Sequence, residues 1–196
     1  MPHPHARGWG MVHMPRREQE GSQAVLEQDL GLLVIRLVVG LIFVAHGAQK
    51  VLGVWGGPGI VGWTGAMEHM GFRPARYWAL LDSGVEFGCG ILFVIGFLTP
   101  IAAAALLGHA TVIILKVQLP RGFWNSKGGI EFPLSLAGGL LGILLIGAGG
   151  LSIDGLLHLG LMNEAWVKWI GAIAGIAGGA AIYLYSVRPS VATPPA

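Results

Sequence analysis

The chain has 196 residues, of which 54% are hydrophobic and only 11% are charged, and its mean hydropathy is +0.67. A soluble domain carries about 25% charged residues, so this composition excludes a disordered chain and argues strongly against a water-soluble globule. The net charge of +2 comes without a basic run, which argues against a nucleic-acid partner. The single cysteine, Cys89, excludes an internal disulfide and a CxxC redox pair. The composition therefore predicts an all-α, polytopic membrane protein.

Five apolar stretches are long enough to cross a hydrocarbon core, which takes roughly 20 residues in a helix. They cover residues 30–52, 77–98, 99–119, 130–148 and 165–187. We expect residues 1–29 to be a polar N-terminal tail, flexible to about Gln23, and residues 190–196 to be a C-terminal tail. Between the second and third spans, the sequence predicts Thr99 as a helix N-cap and Pro100 as the first helical residue.

The connections between the spans differ in character. Residues 53–76 are predicted to hold a short interfacial helix around 63–70, and residues 120–129 form a polar loop. Residues 156–164 are read as an amphipathic linker that leads into the fifth span. Small residues at Gly171, Gly175 and Gly179 predict close packing of that span against a neighbour.

Ionisable side chains occur within the apolar spans, although a charge at the bilayer centre costs about 2.5–3.5 kcal/mol on insertion scales. Three cations balance three anions, with two histidines among them, as a mutually paired buried network requires. The set comprises Arg36, His46, Lys50, Asp82, Glu86, His109, Lys116 and Glu131.

Spacing and depth predict that most of this set shares one pocket. His46 and Lys50 are one helical turn apart, and so are Asp82 and Glu86. Successive spans alternate in direction. One leaflet therefore contains the C-terminal ends of the first and third spans and the N-terminal ends of the second and fourth spans. We therefore predict a half-membrane pocket, roofed by the loops 53–76 and 120–129. Arg36 belongs to the opposite half, where we expect it to reach its own membrane surface.

A purely structural interpretation remains open. In it, Lys50 pairs with Glu86, Lys116 pairs with Glu131, and these ion pairs fix the register of the helices. Haem ligation by His46 and His109 is a further alternative. No spacing resembles a protein metal motif such as HExxH, so we predict no metal site.

Several sequence runs together resemble the DoxX family over about residues 30–155. The resemblance implies a four-helix membrane core to which the fifth helix is an addition, and a place in a bacterial or archaeal cell (inner) membrane. It also implies an association with membrane redox complexes, and family motif positions at residues that include Arg36, His46, Glu86, His109 and Glu131. The runs are RLVVGLIFVAHGAQKVLG at 36–53, DSGVEFGCGILFVIGFLTP at 82–100, HATVIILKVQLPRGFW at 109–124, GGIEFPL at 128–134 and GGLSID at 149–154.

The first functional hypothesis is a redox-associated subunit that binds a quinone headgroup in the pocket. His46 or His109 would hydrogen-bond the headgroup, and Glu86 or Glu131 would deliver protons. The remaining pocket residues of this hypothesis are Arg36, Lys50, Asp82 and Lys116, with the two lysines stabilising negative charge. If the protein is an enzyme, we expect a subunit of a quinone-linked oxidoreductase whose electrons come from a protein partner.

Two alternatives stand beside it. The chain could be a non-catalytic accessory subunit of a larger respiratory or photosynthetic membrane complex, in which the polar set only specifies helix register. A transporter of a small anion or of protons would also line a cavity with charges, but the sequence lacks the inverted repeats typical of that class.

Overall fold

The structure is a computed structural model, and it describes residues 16–187. Within that range the fold is an all-α membrane bundle. Four helical spans have the length and composition to cross a membrane, and a shorter apolar helix lies among them. The helices are α1 (Arg16–Leu52), α2 (Gly59–His69), α3 (Ala75–Gly84), α4 (Gly90–Ile95), α5 (Thr99–Ile113), α6 (Glu131–Ile146), α7 (Ile153–Leu156), α8 (Gly160–Asn163) and α9 (Ala165–Ser186).

Two of the spans contain a π-helical turn. One such turn, Val85–Cys89, joins α3 to α4, so that Ala75–Ile95 is one continuous span. The other, Ile114–Gln118, extends α5. A π turn adds a residue to the helical turn and changes the direction in which the following side chains point. Both π turns lie in spans that carry ionisable side chains.

The first span begins earlier than the hydropathy indicated. Helix α1 starts at Arg16, so residues 16–29, which we expected to belong to a polar tail, are helical. The segment is rich in Glu, Gln and Arg, all good helix formers, and the apolar span continues it without a break. The expectations for residues 1–15 and for the tail at 190–196 lie outside the described residues.

The predicted cap of the third span is wrong in detail. Helix α5 does start at Thr99, but Leu98 occupies the N-cap position with a left-handed backbone (φ 49°), and no side chain of the turn caps the helix. Instead, the carboxylate of Asp154 accepts hydrogen bonds of 2.8 Å from the backbone N–H groups of Leu98 and Thr99. A capping group from a distant loop cannot be deduced from the local Thr-Pro pattern.

Helix α5 lies at the centre of the bundle, where Ala102, Ala103 and Leu106 are completely buried. Its most extensive contact is with α9. The glycine spacing in α9 makes this contact close, as predicted. A Cβ atom on Gly175 would lie 2.6 Å from the carbonyl oxygen of Ala104, and one on Gly179 would collide with the carbonyl oxygen of Gly108.

Replacing Gly179 with alanine should therefore destabilise the bundle. We expect the free energy of unfolding to fall by about 1–3 kcal/mol, because the added methyl group forces the backbones of α5 and α9 apart. Thermal unfolding in detergent measures the loss. Gly138→Ala is the matched control, since a Cβ there meets nothing within 4 Å, and an equal loss in both variants would contradict the close packing.

Arg36 does not reach a membrane surface, contrary to our expectation. Its side chain is completely buried and donates a hydrogen bond from Nη2 to the carbonyl oxygen of Leu151. The carboxylates of Asp29 and Asp154 attract its charge, and Asp29 also accepts a 2.7 Å hydrogen bond from the backbone N–H of Gly150. Arg36 thus links α1 to the loop between α6 and α7 by a hydrogen bond.

Candidate functional site

Four ionisable side chains from three spans meet inside the bundle. Lys50 comes from the last turn of α1, Asp82 from α3, Glu86 from the first π turn and His109 from α5. Their side chains are 10%, 13%, 5% and 7% exposed, respectively. We call these four residues the ion cluster.

The contacts of the ion cluster form a closed ring. Lys50 Nζ lies 2.8 Å from Asp82 Oδ2 and 2.7 Å from Glu86 Oε2. On the other side, His109 Nδ1 lies 2.8 Å from Asp82 Oδ1, and His109 Nε2 lies 2.8 Å from Glu86 Oε1. Each carboxylate therefore bridges the lysine and the histidine with its two oxygens.

Two placements of the protons fit this geometry. A bare imidazole nitrogen and a carboxylate oxygen repel each other, so each of the two His109 contacts needs a hydrogen atom between the heavy atoms. Either the ring is an imidazolium between two carboxylates, or it is neutral and one carboxyl group is protonated. The ion cluster has no net charge in both cases, and the two cases differ only in the position of one proton. Neutrality reduces the cost of burying four ionisable groups.

The local sequence explains how α1 approaches the second span closely enough for this ring. A Cβ atom on Gly47 would lie 2.5 Å from the backbone nitrogen of Phe87, so only glycine allows the π turn to approach α1 there. Lys50 follows Gly47 by about one turn, and Glu86 precedes Phe87. The same close approach therefore brings the ammonium group to the carboxylate.

Trp63 of α2 is a member of the site that our reading of the sequence missed. Its indole Nε1–H donates a 3.0 Å hydrogen bond to Asp82 Oδ2, and Lys50 Nζ lies 4.2 Å from the centre of its ring. The sequence did predict a short helix over the pocket, and this helix contains Trp63. A tryptophan between two spans is equally typical of the aromatic belt at the membrane interface, so its contact with Asp82 could not be predicted.

Two cavities lie on the two sides of the ion cluster. The first, about 370 Å³, is lined by residues that include His46, Lys50, Glu86, His109, Gln118 and Phe132; we call it the His46 cavity. The second, about 400 Å³, is lined by residues that include Phe72, Trp78, Asp82, His109, Lys116 and Gly178; we call it the Lys116 cavity. His109 contributes to both walls, whereas Asp82 faces one cavity and Glu86 the other.

His46 borders its cavity without joining the ion cluster. Its Nδ1 lies 2.8 Å from the carbonyl oxygen of Ile42. Because a carbonyl only accepts, Nδ1 carries the hydrogen, and in the neutral ring Nε2 is left as an acceptor. Haem ligation by the His46–His109 pair does not fit this arrangement, since both nitrogens of His109 already contact carboxylates.

The other predicted pocket residues lie apart from the ion cluster. Lys116 Nζ donates to the carbonyl oxygen of Ser186 at 3.1 Å. Glu131 is exposed, and its Oε2 accepts a 2.9 Å hydrogen bond from the backbone N–H of Asn125. The expected Lys116–Glu131 ion pair is therefore wrong, whereas the Lys50–Glu86 pair is present. Arg36 lies on α1 well before Lys50 and is buried against Leu151.

Comparison with known proteins identifies the family. A model of the DoxX family matches residues 31–119. The uncharacterized membrane protein Rv3486 of Mycobacterium tuberculosis is 35% identical over 133 residues, which cover 63% of this chain and 78% of the relative. The chain belongs to the DoxX family. A second relative, the inner membrane protein YqjF of Escherichia coli K12, is 28% identical over 142 residues, or 71% of this chain and 97% of the relative. No solved structure matches the chain.

The family match contains all four residues of the ion cluster and also His46 and Lys116. Glu131, Asp154 and α9 lie beyond its end. The ring is thus part of the segment that the chain shares with the family, while one wall of the Lys116 cavity comes from a helix outside that segment.

Proposed function

We propose that this protein is a membrane subunit that binds the headgroup of a lipid-soluble quinone, in its quinol form, in the His46 cavity. The observation that carries the proposal is a buried ring of two carboxyl groups, a lysine and a histidine in contact with one another, part of which forms a wall of an otherwise largely apolar cavity. A volume of about 370 Å³ falls in the range of small-molecule sites, about 300–1,000 Å³.

The residues around the cavity match the polar groups of such a headgroup. The free Nε2 of His46 is an acceptor, so it suits a hydroxyl group rather than a carbonyl. Glu86 and His109 line the same cavity and hold a proton between them at a 2.8 Å contact. Phe132 and Leu136 supply apolar wall for the ring of the headgroup.

A bound quinol supplies two electrons and two protons to its surroundings. In this proposal one proton of the quinol passes from its hydroxyl group to His46 Nε2 and the other passes to the Glu86 carboxylate, and the headgroup leaves as the quinone. Lys50 holds Glu86 in place through the 2.7 Å contact of their charged groups. The electrons pass to a redox protein that contacts this subunit in the membrane.

Binding of a short-chain quinol to the purified protein tests the proposal, with quenching of tryptophan fluorescence as the signal because Trp63 lines the cavity. His46→Ala should weaken binding about tenfold, as expected for the loss of one hydrogen bond. Glu86→Gln should weaken it similarly, since the amide breaks the proton-sharing ring.

The matched controls are His69→Ala and Glu68→Gln, which change exposed side chains of α2. Both controls should bind like the unaltered protein. Unchanged affinity in both His46→Ala and Glu86→Gln would contradict the proposal.

A second candidate is the accessory subunit of a larger membrane complex. It is favoured by α9, which lies outside the family match and exposes a row of large apolar side chains, among them Ile170, Ile173 and Leu184. Co-purification with a multi-subunit complex in mild detergent, together with no quinol binding, would favour this candidate over the first.

A further inference from the structure

The Lys116 cavity has features that quinol binding at the other cavity leaves unexplained. It lies between the central helix α5, the added helix α9 and the aromatic side chains of Phe72 and Trp78. Its wall is apolar except for Asp82, His109 and Lys116. The groups of Asp82 and His109 that face it are already paired within the ring.

Lys116 is the polar group of this cavity that retains binding capacity. An ammonium group has three hydrogens to donate, and the structure assigns one of them to the carbonyl oxygen of Ser186. Among residues 16–187, the ion pairs found do not include Lys116. Its Nζ also lies 5.6 Å from the centre of the Phe72 ring, at one end of the cavity. The cavity is therefore an apolar slot that contains one unneutralised cation.

Helix α9 gives this slot a flat wall of small residues. Ala174, Gly175, Gly178 and Gly179 all line it. Gly175 and Gly179 are needed for contact with α5, but a Cβ atom on Gly178 would meet nothing within 4 Å. Gly178 therefore faces open space in the cavity, and a larger side chain at this position would fill the slot without a backbone collision.

We infer that the Lys116 cavity binds an anionic amphiphile, with a carboxylate or phosphate group at Lys116 and an aliphatic chain along the small-residue wall of α9. The charge of the anion complements the ammonium group, and the negative charge of Asp82 does not oppose it because Lys50 and His109 neutralise that carboxylate. The apolar walls exclude a small hydrophilic anion, which would have to give up its hydration. This site is separate from the quinol site and does not depend on it.

Equilibrium binding to the purified full-length protein in a nonionic detergent tests the inference. The probes are oleate and its uncharged analogue oleyl alcohol, measured by displacement of a fluorescent fatty acid. Oleate should bind at least tenfold more tightly than oleyl alcohol. Lys116→Gln should remove this difference, and Lys116→Arg should retain it. Gly178→Leu should weaken the binding of both probes at least tenfold.

Matched controls separate the site from general effects. Lys127→Gln removes an exposed cation, and Gly138→Leu adds the same side chain to an exposed glycine with open space around it; both should leave oleate binding unchanged. All variants should retain quinol binding at the His46 cavity, so failure here and failure of the quinol proposal are distinguishable.

A second pair of probes identifies the source of the anion. Phosphatidylglycerol and phosphatidylcholine, in mixed micelles, compete with the fluorescent fatty acid. Lys116-dependent preference for phosphatidylglycerol would support a bilayer lipid as the occupant, and its absence alongside oleate selectivity would support a free fatty acid. Equal affinity for oleate and oleyl alcohol, or oleate binding that is indifferent to both Lys116→Gln and Gly178→Leu, would overturn the inference.

Discussion

Replacing Lys50 with methionine is expected to lower the free energy of unfolding by about 3–5 kcal/mol, the cost of leaving buried charges without their partner. Lys50 is the cation on one side of the ring, and its Nζ lies within 2.8 Å of both Asp82 and Glu86. Without it, two buried carboxyl groups share only the charge of His109. Methionine retains the length and apolar character of the side chain, so the effect reports charge rather than packing.

Unfolding in mixed detergent micelles, followed by circular dichroism, measures this loss. The double variant Lys50→Met, Glu86→Gln should recover part of the stability, because it removes one charge of each sign. Lys127→Met, at an exposed position, should change stability by less than about 0.5 kcal/mol. A loss for Lys50→Met as small as that of this control would show that the ring does not carry the buried charges as described.

Replacing Asp154 with alanine should lower the free energy of unfolding by about 2–5 kcal/mol, because two backbone donors lose their acceptor. The carboxylate caps α5 through two backbone hydrogen bonds of 2.8 Å, and its charge attracts the completely buried guanidinium of Arg36. The alanine variant therefore leaves two backbone donors without their partner and removes a counter-charge in one step.

The same unfolding assay measures the effect of Asp154→Ala. Asp154→Asn should be less harmful, since its amide oxygen still accepts one hydrogen bond. Glu68→Gln, which alters only an exposed pair with Arg73, should change stability by less than about 1 kcal/mol. If Asp154→Ala unfolds like this control, Asp154 neither caps α5 nor supports Arg36.

Hydropathy was sufficient to predict the spans, because each apolar stretch must bury its backbone polar groups within a helix. It predicted the start of the third span at Thr99 and the last helix almost residue for residue. It failed at Arg16–Asp29, where a polar segment continues α1. Hydropathy indicates which residues can lie in the hydrocarbon core. It does not indicate where the helix itself begins, because a helix can extend beyond the membrane.

Helical spacing correctly placed Lys50, Glu86 and His109 in one interior, although Glu86 lies in the first π turn, but it failed at the second π turn. Lys116 lies within the turn Ile114–Gln118, so the constant rotation of an α-helix does not apply to it, and it points to the end of α9 instead of Glu131. The folding of the loop before α6 likewise turns Glu131 toward Asn125. Such changes depend on tertiary packing and leave no periodic signal in the sequence.

The contacts of Asp154 and Arg36 could not be predicted from the sequence, because they also depend on tertiary packing. Each depends on a partner more than 50 positions away in the chain, with separations of 56 for Leu98–Asp154 and 115 for Arg36–Leu151. A spacing rule detects neighbours on one helix, whereas these contacts form only once α1, α5 and the loop before α7 have packed.

The candidate site depends on a closed ring in which His109 contacts the carboxyl groups of both Asp82 and Glu86 inside the bundle. Solid-state NMR on protein in lipid vesicles tests it most directly, with ¹⁵N in the histidine rings and ¹³C in the Asp and Glu carboxyl groups. We predict dipolar couplings from the two ring nitrogens of His109 to two different carboxyl carbons, matching the 2.8 Å contacts. Asp82→Asn and Glu86→Gln, whose amide carbons are unlabelled, should each remove one of them. A spectrum in which the His109 nitrogens couple to no carboxyl carbon would contradict the account.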